Sequence, residues 1–227
     1  SRVTARAVVA YVVAGPAYTP LVQAAQARGL GMVRGSEMLM PQIETAAEAS
    51  LRRLSGALEA WRREVALVCG GGAPATPQGR ALQPFVAPFH LPGQQFDALI
   101  DGVEMDATPR RYATFAELEP YCHRVASSVG LMCAEIFGYS ESGVLEYARE
   151  LGVALQLTNI LRDVAVDFRR DHVYLPQDEL AKFGCTEQDL RRETEGAKGA
   201  VQSPQVRELL RLQADRAHQY FSRAAKA

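Results

Sequence analysis

Four polar residues within an otherwise apolar stretch of this sequence could bind a metal ion. Residues 151–176 read LGVALQLTNILRDVAVDFRRDHVYLP, and an amide or a carboxylate recurs there every three or four positions, at Gln156, Asn159, Asp163 and Asp167. At ~100° per residue, these side chains fall within an arc of roughly 80° on one face of a helix. Oxygen atoms of this kind suit Mg²⁺, which usually binds one or two carboxylates and fills its other positions with water and substrate phosphates.

The sequence also permits a plainer interpretation of these acidic residues. Apolar residues such as Leu157 and Ile160 lie beside the polar arc, so the carboxylates stand at the edge of a core-facing surface. Burying a carboxylate there is costly unless a cation or dense hydrogen bonding offsets it. An exposed helix whose acids pair with Arg162, Arg169 and Arg170 would avoid that cost. Spacing alone leaves the metal site and the surface ion pairs as equal alternatives.

Small residues recur along a second segment. Between residues 121 and 137, every fourth position from Cys122 is small, at Cys122, Ala126, Gly130 and Ala134. On a buried helix, such residues permit either close packing against a neighbouring helix or an apolar tunnel between helices. From spacing alone, packing is the default interpretation and the tunnel stays open as the alternative.

Several segments together carry a resemblance to one protein family. Residues 151–176 resemble the second aspartate-rich signature of the squalene/phytoene synthases, the head-to-head trans-prenyltransferases, and residues 121–130 (YCHRVASSVG) resemble the other signature. Residues 79–106 and 112–122 also read like bacterial members, and presqualene diphosphate synthases of hopanoid pathways look most similar. The traceable similarity covers residues 50–190. It implies an all-α, isoprenoid-synthase-type helical bundle around a central apolar cavity.

The resemblance implies a reaction and its cofactor. The expected reaction condenses two farnesyl diphosphates head-to-head to presqualene diphosphate, and a phytoene-type condensation of two geranylgeranyl diphosphates is the alternative. A departing diphosphate needs Mg²⁺ as a Lewis acid, and water must be kept from the allylic cation. NADPH is not expected, although the sequence does not exclude a reductive step. An alternative of another class is a non-catalytic family member that serves as a binding or assembly scaffold.

The resemblance also assigns roles to single residues. Asn159, Asp163 and Asp167 would hold the Mg²⁺–diphosphate group, and Tyr121 would be a polar group near the reacting carbons. Tyr121, Asp163 and Asp167 are therefore the predicted catalytic residues.

Further residues would bind the substrate. The resemblance places Gln156 and Arg162 beside the diphosphate, although for Arg162 a surface ion pair stays an alternative. The pocket for the prenyl chains would be lined by Val125, Gly130, Ala148, Leu151 and Leu155.

Two features of the sequence depart from the family pattern, in addition to the missing C-terminal helices. The first aspartate-rich motif should lie at residues 41–45, but only Glu44 is acidic there. Asp97 and Asp101 have a DxxxD spacing at a different place, and we interpret them as a solvated helix face. His172 stands where the family usually has Arg. With half of the metal clamp lacking obvious ligands, we expect at most weak, one-sided prenyl diphosphate binding and little synthase activity from this chain.

Composition excludes several classes of function. With 25 Lys and Arg against 26 Asp and Glu, the chain has no global charge that would indicate nucleic-acid binding. The four cysteines are scattered without metal spacing and indicate reduced thiols. No run reaches the ~18–20 apolar residues that a transmembrane helix needs. We therefore expect a soluble, cytoplasmic protein with peripheral membrane contact for an apolar product and no obligatory protein partner.

The chain has the length of one domain. Residues 1–40 are predicted to be a divergent segment, since their arginines are not balanced by any acid before Glu37. The apolar run at residues 7–14 resembles a secretory signal, but the cysteine usage and the family resemblance argue against export. Residues 41–227 are predicted to form the family's helical domain without its C-terminal helices.

Periodicity and breaker residues predict an all-α chain, because strand-like alternation is nowhere sustained. Thr186 with Asp189 resembles a capping box, and Pro204 suits the first position of the last helix. Helices are expected over residues 44–69, 80–89, 93–103, 114 or 120 to 137, 140–167, 177–183 and 203–225.

Overall fold

The computed structural model describes residues 9–11, 32–34, 49–141, 143–195 and 203–227. The expected all-α fold is confirmed. The helices are α1 (Ala49–Gly70), α2 (Pro77–Val86), α3 (Gly93–Met105), α4 (Phe115–Cys122), α5 (Ser128–Phe137), α6 (Gly143–Arg169), α7 (Gln177–Lys182), α8 (Glu187–Glu195) and α9 (Pro204–Ala224).

Two short strands accompany the helices. Strand β1 (Val9–Tyr11) pairs in parallel with β2 (Met32–Arg34), with Val9 opposite Met32. Each strand is only three residues long, which is too short to give a sustained alternation in the sequence. The rest of residues 1–40, and residues 41–45 with Glu44, lie outside the described part of the chain.

The chain divides into two compact units, residues 1–84 and 85–227. In the first unit, Leu58, Val65 and Val68 of α1 are buried; they are seven and three residues apart and so lie on one face of the helix. The predicted boundary at residue 40 is not tested by this division and stays a prediction.

Helix α6 is the central element of the second unit. It packs against α9, α5, α8 and the turn that precedes α5. Val153, Ala154 and Leu157 of α6 are almost completely buried, together with Leu118 and Leu209 on α4 and α9. A long helix with one buried face and one half-buried face can therefore hold polar side chains at a fixed edge of the core.

A π-helical turn, His123–Ser127, joins α4 to α5. The single helix predicted over residues 114–137 is thus continuous, but it contains one wider turn. Such insertions are rare and often occur at functional sites. The turn begins two residues after Tyr121, and Gly102 of α3 lies so close to it that a methyl group there would be 2.5 Å from Val125 Cγ1.

Capping explains where the predicted helix ends were right and wrong. Helix α2 begins at Pro77 and not at residue 80, because the Thr76 hydroxyl accepts a hydrogen bond from the Gly79 amide at 2.9 Å. The capping box is confirmed: the Thr186 amide donates to Asp189 Oδ2 at 2.8 Å. The last helix begins at Pro204, as predicted.

Among the described helices, none combines the length and the apolar character that crossing a membrane requires.

Candidate active site

One face of α6 carries the predicted diphosphate-binding residues at the border between core and solvent. Asn159, Asp163 and Asp167 are half-buried, whereas Leu157 and Ile160 beside them are buried. The Asn159 amide points to Gln156 Oε1 across a long contact of 3.5 Å. The helix therefore brings these side chains onto one face, as the spacing predicts.

Arg162 forms a bidentate ion pair with its neighbour Asp163. Arg162 Nε and Nη2 donate to Asp163 Oδ1 and Oδ2 at 2.9 and 2.6 Å. These hydrogen bonds lower the pKa of Asp163 below its ordinary value. The ion pair that the sequence left open for Arg162 is thus observed, and its contact with a diphosphate stays a prediction.

Asp167 has the opposite electrostatic environment. Its partial burial, followed by the negative charge of Asp163, raises the pKa of Asp167 to about 6. A carboxylate of this kind becomes more stable in its charged form when a cation lies beside it.

The donor set on this face fits a hard divalent cation. The two carboxylates and the amide oxygen of Asn159 would all bind through oxygen, the hard ligand atom that Mg²⁺ prefers. Within the described residues, no group of three or more His, Cys, Asp or Glu side chains is placed so that it could hold a metal ion by itself. A bound Mg²⁺ would thus use these few side chains and complete its coordination with water and phosphate oxygens.

A buried tyrosine–carboxylate cluster lies close to this face. Tyr121, which is 4% exposed, donates its hydroxyl proton to Asp106 Oδ2 at 2.9 Å. Tyr174 donates to Asp106 Oδ1 at 2.8 Å. Because the Asp106 charge contributes to the raised pKa of Asp167, the cluster and the candidate metal site are electrostatic neighbours.

Sequence reasoning found only Tyr121 of this cluster. Asp106 follows α3 as its C-cap, and Tyr174 belongs to the loop after α6, so no helical spacing connects them. One feature of the sequence could have indicated these two residues. Asp106 is the last residue of the family-like segment 79–106, and Tyr174 belongs to the VYLP that ends the family-like segment 151–176.

Arg111, in the segment before α4, fixes the loop that carries Tyr174. Arg111 donates to the Asp171 carbonyl at 2.6 Å and to Glu187 Oε2 at 2.9 Å. Arg111 also forms an isolated parallel bridge with Val173. These contacts tie the loop after α6 to α8 and to the segment before α4.

His172, at the position where the resemblance leads us to expect an arginine, lies beside a small cavity. Its ring stacks on Tyr174 with the centroids 5.9 Å apart, and its buried Nδ1 has no hydrogen-bond partner among the described residues. The cavity has a volume of about 10 Å³, room for a single water. Its walls are formed by Ile160, Val164, Asp167, Phe168, His172, Val173, Tyr174, Leu175 and Leu190.

The residues predicted to line the prenyl pocket occupy different environments. Gly130 packs against α6, where an added methyl group would lie 2.8 Å from the Ala148 carbonyl oxygen. This pair closes a helix interface, which is the packing alternative left open by the sequence. Leu151 is half-buried and Leu155 is 49% exposed. The chain-binding roles of Val125, Gly130, Ala148, Leu151 and Leu155 stay predictions.

Known protein sequences include relatives of this chain. The chain is 38% identical over 181 residues to 15-cis-phytoene synthase of Synechococcus elongatus, covering 74% of the chain and 56% of that protein. It is 39% identical over 180 residues to phytoene synthase of Arthrospira platensis, with coverages of 74% and 56%. The chain thus spans about half the length of these curated relatives.

Two crystal structures share the fold. Squalene synthase HpnC from Alicyclobacillus acidocaldarius has a TM-score of 0.69 at 28% identity, covering 81% of this chain and 65% of that one. A dehydrosqualene synthase in complex with ligand has a TM-score of 0.68 at 26% identity, with coverages of 84% and 70%. The family model named squalene/phytoene synthase matches residues 16–227. The chain therefore belongs to the squalene/phytoene synthase family.

Proposed function

We propose that this chain is a Mg²⁺-dependent prenyltransferase that condenses two farnesyl diphosphates head-to-head to presqualene diphosphate. The observation that carries the proposal is the half-buried face of α6 with Asn159, Asp163 and Asp167, of which Asp167 lies near enough to feel the charge of Asp106, the partner of Tyr121. It combines oxygen ligands for a diphosphate-bound cation with a buried polar group for the reacting carbons.

Each part of this face has a separate task in the proposed reaction. Asn159, Asp163 and Asp167 would hold Mg²⁺, which when bound supplies neutralisation of the charge on the departing diphosphate. Arg162 already lies on this face and could exchange its contact with Asp163 for a diphosphate oxygen. The buried aromatic rings around Tyr121 would keep water from an allylic cation.

A second candidate is condensation of two geranylgeranyl diphosphates. The curated relatives described above are named phytoene synthases, which favours this substrate class. The two candidates use the same face and differ only in the length of the prenyl chains. A non-catalytic binding scaffold, a cytoplasmic location and peripheral membrane contact stay predictions from the sequence.

Single-turnover product analysis tests the proposal. Because slow turnover is expected without the first aspartate-rich motif, the purified protein is used in molar excess over substrate, so that one turnover gives measurable product. Farnesyl and geranylgeranyl diphosphates are each incubated with Mg²⁺ and the extracted products are identified by mass. Presqualene diphosphate supports the first candidate, and a forty-carbon product supports the second. Prenyl diphosphate binding without any coupled product would favour the scaffold.

A further inference from the structure

The Asp106 carboxylate receives two tyrosine hydroxyl groups at once. Tyr121 donates to Oδ2 at 2.9 Å and Tyr174 to Oδ1 at 2.8 Å. The two rings stack with their centroids 5.2 Å apart, which restricts the orientation of both side chains. Asp106 therefore has one tyrosine partner for each oxygen.

This arrangement dictates the direction of the Tyr121 hydroxyl. An ionised carboxylate can only accept hydrogen bonds, so the hydroxyl group of Tyr121 must donate its single hydrogen to Asp106. The lone pairs of the Tyr121 oxygen then point away from Asp106. Charge-assisted hydrogen bonds of this kind are short and strong, so they hold an orientation that a neutral partner would hold less firmly.

The charges around the cluster keep the proton on the tyrosine. The buried surroundings raise the pKa of Tyr121 above its ordinary value, and the negative charge of Asp106 raises it further. Burial also raises the pKa of Asp106 above its ordinary value, and the hydrogen bonds from Tyr174 and Tyr121 and the charge of Arg110 oppose that rise. Tyr121 is thus a neutral donor to Asp106 and not a tyrosinate.

We infer that Asp106 is a positioning residue, which holds the hydroxyl proton of Tyr121 so that the lone pairs of that oxygen face the allylic cation formed during condensation. This inference rests on the proposed function. An O–H dipole directed at a cation would destabilise it, whereas a fixed oxygen lone pair stabilises it without any reorganisation during the reaction. Asp106 thus acts on the reaction through Tyr121.

Tyr174 and Tyr112 differ from Tyr121 in this scheme. Tyr174 occupies the other carboxylate oxygen and so fixes the plane of Asp106. The Tyr112 ring lies 5.9 Å from that of Tyr121, but its buried hydroxyl has no partner among the described residues. Of these three tyrosines, Tyr121 is the one that donates to Asp106 and that the family resemblance also places near the reacting carbons.

A double-mutant cycle tests this inference. Single-turnover coupling is measured for wild type, Asp106→Asn, Tyr121→Phe and the double variant, with Asp97→Asn as a matched control on the exposed face of α3. Each single variant at the cluster should slow coupling about 100-fold while prenyl diphosphate affinity changes less than about threefold. The double variant should be no slower than Tyr121→Phe, because both changes remove one effect. Asp97→Asn should behave as wild type.

A spectroscopic measurement tests the same contact without relying on activity. In protein with ¹³C-labelled tyrosine, the Cζ resonance of Tyr121 is identified by its loss in Tyr121→Phe. It should shift in Asp106→Asn, because the hydroxyl loses its anionic acceptor, and stay in place in Asp97→Asn. If Asp106→Asn fails to fold, Tyr121→Phe must slow coupling at least about tenfold more than Tyr174→Phe.

The outcomes separate this inference from the proposed function. If wild type couples and Asp106→Asn couples at a similar rate, or if the two single effects add, the positioning role is overturned and the proposed function stands. An unmoved Tyr121 resonance in Asp106→Asn also overturns it, as do equal effects of Tyr121→Phe and Tyr174→Phe. If wild type forms no coupled product, the proposed function is overturned and this inference falls with it.

Discussion

Gly152 of α6 packs directly against the backbone of Ser127 in the π-helical turn. A methyl group added to Gly152 would lie 2.6 Å from both the Cα and the amide nitrogen of Ser127. The Ser127 hydroxyl donates to the Arg149 carbonyl at 2.6 Å, one turn earlier on α6. The wide turn after Tyr121 is thus held against the helix that carries the candidate metal ligands.

Gly152→Ala should therefore destabilise the protein. The neighbouring atoms belong to backbone and cannot rotate away, so the two segments must separate at a cost of ~1–3 kcal/mol. Gly56→Ala is the control, because Gly56 lies within α1 and has no atom within 4 Å of the added methyl group. That change should stabilise by ~0.5–1 kcal/mol, since alanine suits a helix interior better than glycine. Urea denaturation followed by circular dichroism measures both, and an unchanged Gly152→Ala midpoint would contradict the close approach.

Asp163→Asn should abolish Mg²⁺-dependent binding of a prenyl diphosphate. The substitution removes a charged ligand and leaves Arg162 without its bidentate partner. Calorimetric titration with a non-hydrolysable farnesyl diphosphate analogue, with and without Mg²⁺, provides the measurement. Asp178→Asn, an exposed change on α7, should bind as wild type does. Equal Mg²⁺-dependent affinity in Asp163→Asn and wild type would reject the metal role.

Asp167→Asn should improve stability while it weakens metal binding. The folded-state pKa of Asp167 is raised from 3.8 to about 6, so the folded protein prefers the protonated form. The stability that protonated Asp167 contributes to the folded protein is therefore lost as the pH rises from about 4 through the folded-state pKa of about 6. At pH 8 the thermal midpoint of Asp167→Asn should exceed that of wild type, and at pH 5 the difference should shrink. A difference that is equal at both pH values would show that the carboxylate is not electrostatically strained.

Local features of the structure could be predicted from the sequence. The face that unites Asn159, Asp163 and Asp167 follows from helical spacing alone, because all three belong to one helix. The caps at Thr186 and Ser203 follow from local side-chain chemistry. Each of these features depends on residues that are close together in the chain.

Features that depend on tertiary contacts could not be predicted. Tyr121 and Tyr174 are 53 positions apart and meet only because the loop after α6 returns to α4. The π-helical turn lies against Gly102 and Gly152, which belong to other helices, and no residue type within the turn specifies it. The exposed Leu155 shows that an apolar residue near a buried face need not be buried itself.

Glu64→Gln should lower the stability of the first unit (residues 1–84), most clearly near neutral pH. Glu64 is buried and accepts hydrogen bonds from the amides of Ala75 and Thr76 at 2.9 and 2.8 Å. The hydrogen bond from the Thr76 amide is the largest cause of its lowered pKa, so the carboxylate stabilises the fold above its ordinary pKa of 4.5. That contribution disappears as the pH falls through the lower folded-state pKa. A glutamine offers one acceptor and turns an amide donor towards a backbone N–H, so the urea midpoint of the variant should fall at pH 7 and approach that of wild type in acid. Glu59→Gln, on the exposed side of α1, should leave the midpoint unchanged, and a similar result for Glu64→Gln would contradict the role assigned to this carboxylate.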